Sequence, residues 1–265
     1  MFFAEPPPSP YDLRFRAFGF PVRVHPYFWL VAGLLGIGFG RKEKEVEPAD
    51  FMIWVAVMFA SILVHELGHA FAQRHFGGRP WITLHAMGGL ASCDDCDRSP
   101  RSQIFISLAG PFAGFAVALA AVVLLRGTGH VVGYQFREDK IPSAADVGAL
   151  EGLRMLGGTL YWNKLANPRM SELVGNVFWL NILWGVVNLL PIYPLDGGRV
   201  SRELCTLAGN PRDGIILSLR ISIFAAAAMA AVGIVAWGSL FTAVLFGSLA
   251  YSNYQTLQAY SRHGW

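Results

Sequence analysis

Residues 51 to 73 read FMIWVAVMFASILVHELGHAFAQ. A helix needs about 20 predominantly apolar residues to cross the hydrocarbon core of a bilayer, and Phe51 to Ala72 supplies them. Three ionisable groups, His65, Glu66 and His69, fall within five positions of this stretch. Each costs about 2.5–3.5 kcal/mol at mid-membrane on insertion scales, so such groups are retained for function by default.

Their spacing is H-E-x-x-H. Residues i and i+4 of a helix share one face, so His65 and His69 can point both imidazoles at one ion. Glu66 lies about 60° around the helix from His69 at about 100° per residue. From there it can reach a water on that ion without being a ligand. A catalytic zinc site uses three protein ligands, keeps an open position for water and lowers that water's pKa to ~7. A carboxylate beside it can take the proton and return it to a leaving amine. The structural alternative is a His/Glu cluster satisfied by interhelical hydrogen bonds.

A third ligand is then required. Asn188 to Arg199 reads NLLPIYPLDGGR and directly follows another apolar span. Pro191 and Pro194 interrupt the helical hydrogen-bond ladder, and Gly197 and Gly198 free the backbone. Asp196 can therefore turn inward. Read alone, it is equally a solvated residue at a helix stop. Beside H-E-x-x-H it is the best partner in the chain.

The remaining sequence places these residues in a membrane protein. Of 265 residues, 54% are hydrophobic and 15% charged, against about 25% charged in soluble domains. Six spans are expected: 24–40, 51–72, 104–125, 173–193, 215–237 and 239–254. Irregular lipid-facing backbone is not tolerated, so the spans should be helical. A net charge of +3 without a basic run excludes a nucleic-acid surface. Trp81 to Met87 alternates before Gly88-Gly89, which predicts an extended hairpin. Val147, Leu150, Leu153, Leu156 and Leu160 recur at three to four residues, which predicts an amphipathic helix on the membrane or over the bundle mouth. With both termini cytoplasmic, the inner segments hold eleven Lys and Arg and the outer ones nine, a slight positive-inside bias.

HELGH in an apolar span, followed by N-L-L-P-I-Y-P-L-D-G at 188–197, resembles the site-2 protease family of intramembrane zinc peptidases. That family pairs H-E-x-x-H with N-x-x-P-x-x-x-L-D-G. Gly88-Gly89, Ala109-Gly110-Pro111 and Gly19 to Pro26 are similar to its hairpin, its next core helix and the approach to the first span of its six-span branch. The resemblance implies an all-α integral-membrane fold of about six helices with a small membrane-associated β-hairpin. It implies one Zn2+ per chain on His65, His69 and Asp196, with Glu66 as general base. Asn188 is implied to hold the substrate carbonyl or oxyanion. Residues 82–90 would pair with an unfolded substrate strand.

The resulting expectation is a zinc metalloendopeptidase that cleaves transmembrane or membrane-proximal proteins in regulated intramembrane proteolysis. Residues 1–23 form a cytoplasmic segment, 24–256 the protease domain (core spans 51–72, 104–125 and 173–196) and 257–265 a tail. Its partners are the substrate, the bilayer and a separate regulatory protein, with no nucleic acid. It is a multi-pass protein, of the cell membrane if prokaryotic, with both termini cytoplasmic. Eleven residues follow Tyr254 and the connection from Gly127 to Glu172 has 46, so a minimal version without C-terminal regulatory or PDZ domain is expected. Two other readings are a metal transporter, for which no paired halves are visible, and a prenyl-protein-type peptidase using Glu203. Cys93-Asp-Asp-Cys96 lacks a second pair and reads as a polar loop.

Overall fold

The computed structural model describes residues 5–38, 47–86, 88–137, 141–143 and 148–262. Gly40, Met87, Val147 and the tail residues 263–265 lie outside these. The chain divides into two units: Met1–Leu67, Trp81–Ser92 and Phe112–Gly185 in one, and Gly68–Pro80, Cys93–Pro111 and Val186–Trp265 in the other.

The first unit opens on a hairpin of β1 (Leu13–Ala17) and β2 (Phe20–Val24). Phe18 and Gly19 make its two-residue turn with φ of 51° and 85°, the geometry that matches strand twist. Phe20, Val22 and Val24 are buried in alternation. After α1 (Pro26–Gly38) and α2 (Pro48–His75), the chain returns as β3 (Pro80–His85) and β4 (Gly88–Cys93). β2 pairs with β3 in parallel, giving a sheet ordered β1-β2-β3-β4. The expected hairpin is thus one half of a four-stranded sheet. Its other half lies in residues expected to be a plain terminal segment, where a twelve-residue hairpin is easily overlooked.

Beyond α3 (Pro100–Gly127) stands a second sheet, ordered β5-β7-β6, from β5 (Val132–Gln135), β6 (Leu150–Met155) and β7 (Gly158–Asn163). It replaces the amphipathic helix expected over Val147 to Leu160. Leu156 and Gly157, with φ of 51° and 79°, form a tight hairpin turn in the middle of that leucine series. Gly152, Gly157 and Gly158 also disfavour a helix. Leu160 and Trp162 of β7 pack with Leu125, Val174 and Phe178 into an apolar cluster.

α4 (Pro168–Asn188) contains a π-helical turn at Trp179–Leu183. In the second unit, α5 (Asp196–Leu207), α6 (Pro211–Val235) and α7 (Leu240–Arg262) pack in succession. Among the described residues α2, α3, α4 and α6 are long and apolar enough to cross a membrane; α1 is apolar but shorter. The chain is therefore mostly helical, with four candidate spans and small sheets, where six spans and one hairpin were expected.

Candidate metal centre

α2 carries His65, Glu66 and His69 on consecutive turns, and all three are buried. Asp196 begins α5 and is buried as well. The segment ahead of it bends back on itself. A Cβ at Gly197 would lie 2.1 Å from the Leu189 carbonyl oxygen, and one at Gly198 would lie 2.3 Å from the Tyr193 nitrogen. These glycines serve close backbone approach inside a helix rather than an unwound end. The bend is anchored from α6 and α7: Ser222 accepts from the Tyr193 N–H at 3.1 Å, and Asn253 Nδ2 donates to the Tyr193 carbonyl at 2.7 Å.

That bend brings Asp196 to the histidines. Its Oδ2 is 3.3 Å from His69 Nε2. One ligand atom from each of His65, His69 and Asp196 lies within 4.8 Å of the others. Two ligands at 2.0–2.1 Å from a tetrahedral ion are separated by about 3.4 Å, so the His69–Asp196 spacing fits one zinc ion. The donor set, two imidazoles and one carboxylate, is that of a catalytic zinc with an open position. On its far side His69 Nδ1 is 2.7 Å from the Ile106 carbonyl oxygen, which fixes the ring and leaves Nε2 for the metal.

Glu66 faces β4. A Cβ at Gly89 would sit 2.2 Å from Glu66 Cγ and 2.5 Å from Oε1, so the missing side chain makes room for this carboxylate. Asn188, at the end of α4, is buried, and its Nδ2 has no partner among the described residues. It is an amide donor held ready in the interior, and buried polar atoms left this way call for a functional explanation. Among the described residues the three-ligand group does not include Glu203; burial raises the pKa of that carboxyl, with the charge of Arg202 opposing.

Two features escaped the sequence reading. Cys93 and Cys96, read as a polar loop, are joined in a disulfide. It packs on Gly78, where a Cβ would come 2.3 Å from either sulfur. The second is Asn181, in the π-turn of α4, whose Nδ2 donates to Ser61 Oγ at 2.9 Å. It is one of three asparagines, with Asn176 and Asn188, in that apolar stretch, and nothing in the sequence singled it out.

The sequence profile of Peptidase family M50 matches residues 53–232. Protein sll0528 of Synechocystis, whose name assigns it provisionally to the zinc metalloproteases, is 27% identical over 213 residues, covering 77% of this chain and 47% of that protein. Zinc metalloprotease MJ0392 of Methanocaldococcus jannaschii is 24% identical over 196 residues, covering 73% and 45%. The chain thus spans about half the length of the curated relatives it matches. Among solved structures, the site-2 protease from Methanocaldococcus jannaschii superposes with a TM-score of 0.55 at 20% identity, over 92% of this chain and 94% of that one. That likeness is one of fold.

Proposed function

The chain belongs to Peptidase family M50, and on that premise we propose that it is an intramembrane zinc metalloprotease acting on membrane-spanning or membrane-proximal proteins. The observation that carries this reading is the convergence of His65, His69 and Asp196 within 4.8 Å, with Glu66 beside them on a helix apolar enough to span a bilayer.

Bound there, zinc would supply Lewis acidity, polarising a carbonyl and acidifying water. Glu66 takes the proton of the attacking water and delivers it to the leaving amine nitrogen. Asn188 Nδ2 donates to the oxygen on which negative charge develops. Ile106 holds His69 in register through its carbonyl. A helical substrate hydrogen-bonds its own carbonyls, so the cut segment must first unwind. β4 ends the sheet order and offers such a strand a place to pair.

The finer reading follows the same line. The four apolar helices and the family mark an integral membrane protein. α1 and α7 would complete six spans across 24–256 within the cell membrane, with residues 1–23 and 257–265 on the cytoplasmic side. Cleavage would be one step of regulated intramembrane proteolysis, gated by a separate protein.

The deciding experiment reconstitutes the purified chain in lipid with a tagged single-span substrate and zinc. Cleavage by the parent protein and none by Glu66→Gln is expected. Equal turnover by both would remove Glu66 from the chemistry, and no cleavage of any membrane substrate would reject the proposal.

A further inference from the structure

Tyr193 is caught at both of its peptide units by helices further along the chain. Its N–H donates to Ser222 Oγ of α6, 29 positions on, and its carbonyl accepts from Asn253 Nδ2 of α7, 60 positions on. The backbone bonds inside the bend are local ones, from the Ile192 N–H to the Leu190 carbonyl and from the Leu195 N–H to the Ile192 carbonyl. The Tyr193 side chain is 37% exposed, so what the two helices hold is its main chain.

Both holding residues are polar and sealed from solvent. Ser222 is 1% and Asn253 2% exposed, and α6 is apolar enough to cross a bilayer. Burying a polar side chain in such surroundings is costly without a partner. Asn253 uses its amide nitrogen on two carbonyls, that of Tyr193 and, at 2.8 Å, that of Leu249 in its own helix. Carbonyl oxygens only accept, so the orientation of the amide is settled. Its Oδ1 is buried with no partner among the described residues, and an acceptor left in that state offsets much of what the donor bonds contribute to stability. The placement of the Tyr193 main chain is what the residue accomplishes.

The path from there to the metal centre is short and stiff. Pro194 follows with its φ fixed by the ring, and a Cβ at Gly198 would come 2.3 Å from the Tyr193 nitrogen. Asp196 stands three residues after Tyr193, with Oδ2 3.3 Å from His69 Nε2. Ligand distances in a metal site tolerate only about 0.2 Å. We propose that Ser222 and Asn253 are positioning residues for Asp196: by holding the peptide units on either side of the Tyr193 Cα they set the carboxylate opposite His69. The Ile106 carbonyl fixes the His69 ring directly; Asp196 is fixed through its backbone, from two helices that carry none of the three ligands. The proposal rests on the zinc-centre reading above and adds two residues that lie outside the catalytic motifs.

The test uses the full chain in lipid nanodiscs and reads zinc affinity by competition with a chromophoric chelator, the visible spectrum of the cobalt-substituted protein, and metal-free thermal unfolding. Ser222→Ala and Asn253→Leu each remove one hold. Ser218→Ala is the control: it is equally buried, one turn earlier on α6, and its hydroxyl donates within its own helix to the Ile215 carbonyl. Ser222→Ala and Asn253→Leu are expected to weaken zinc binding about tenfold, the loss typical of outer supports of a metal site, and to shift the cobalt bands. Ser218→Ala should match the parent in both. Weakening in one of the two variants keeps the assignment for that residue and removes the other. Parent-like affinity and spectrum in both overturn the proposal, even if the unfolding temperature falls, since that is the pattern of a merely structural role. Equal weakening in Ser218→Ala also overturns it. No zinc binding by the parent protein rejects the metal centre itself. Should Asn253→Leu fail to fold, Ser222→Ala against Ser218→Ala carries the decision.

Discussion

His69 is held at both edges of its ring: Nδ1 is 2.7 Å from the Ile106 carbonyl and Nε2 is 3.3 Å from Asp196 Oδ2. A neutral imidazole donates from one nitrogen and accepts at the other, so Ile106 determines which nitrogen is offered to a cation. Replacing a ligand and replacing the base should therefore separate. His65→Ala, His69→Ala and Asp196→Ala are each expected to lose bound zinc and activity together. Glu66→Gln should keep about one zinc per chain and lose 10²–10⁴-fold in turnover. Metal analysis beside a cleavage assay checks both.

Gly89 of β4 leaves no space for a methyl next to Glu66. Gly89→Ala is expected to displace that carboxylate and reduce turnover by at least about 100-fold, since small misplacements of a catalytic group cost that much. Zinc content should stay at the parent level, because no ligand is touched. Loss of zinc in this variant would mean that β4 supports the ligands as well.

The bend before Asp196 is tighter still, because the obstacles to a side chain at Gly197 are backbone atoms of Leu189 and Leu190. Gly197→Ala must push α5 away from them. The expected result is a destabilised protein with weakened zinc binding, read by thermal unfolding with and without metal. An unfolding temperature equal to the parent's would contradict the packing described.

Acid should loosen the four-stranded sheet in two stages. His85 of β3 has its pKa lowered from 6.5, chiefly by burial; the charge of Glu5 works against this, and those of His25 and Arg23 reinforce it. The folded form thus binds fewer protons, and stability falls as pH drops below 6.5. Glu5 is raised by burial but lowered more by hydrogen bonds from Thr83, Arg23 and Trp81, and ends below 4.5. Its contribution is present above 4.5 and is lost as pH falls through the folded-state value. Thermal unfolding at stepwise lower pH should show the first limb flattened in His85→Gln and the second in Glu5→Gln.

Alkylation of the unfolded protein is expected to label one cysteine before reduction and three after it, since Cys93 and Cys96 are bonded and Cys205 is free. Three labels without reductant would contradict the disulfide.

The candidate site was legible where chemistry constrains residue type and spacing together. His65 and His69 announce themselves because a helix allows i and i+4 to share one ion, and Asp196 because two prolines and two glycines flank it. Four of the helices were legible through the length that a bilayer imposes. The second sheet was not. Leu150, Leu153 and Leu156 keep a helical interval, and only the paired turn at Leu156-Gly157 reveals that the direction of the chain reverses there. The β1–β2 hairpin was hidden by its brevity, although Phe20, Val22 and Val24 alternate as a strand should. Asn181 carries no motif; its hydrogen-bond partner Ser61 lies 120 positions away in sequence, and no local pattern encodes that pairing.

Where the chemistry sits along α2 sets how deep it lies. The apolar stretch from Phe51 to Ala72 is about 33 Å long at 1.5 Å per residue, and His65 to His69 falls roughly 21–27 Å from its start. His65, Glu66 and His69 are therefore near the Arg74 end of the helix, about 6–12 Å from the end of that apolar stretch. If the proposed cleavage takes place at that level of a bilayer, the severed substrate keeps one long hydrophobic remnant in lipid and one short stub, and only the stub can diffuse away.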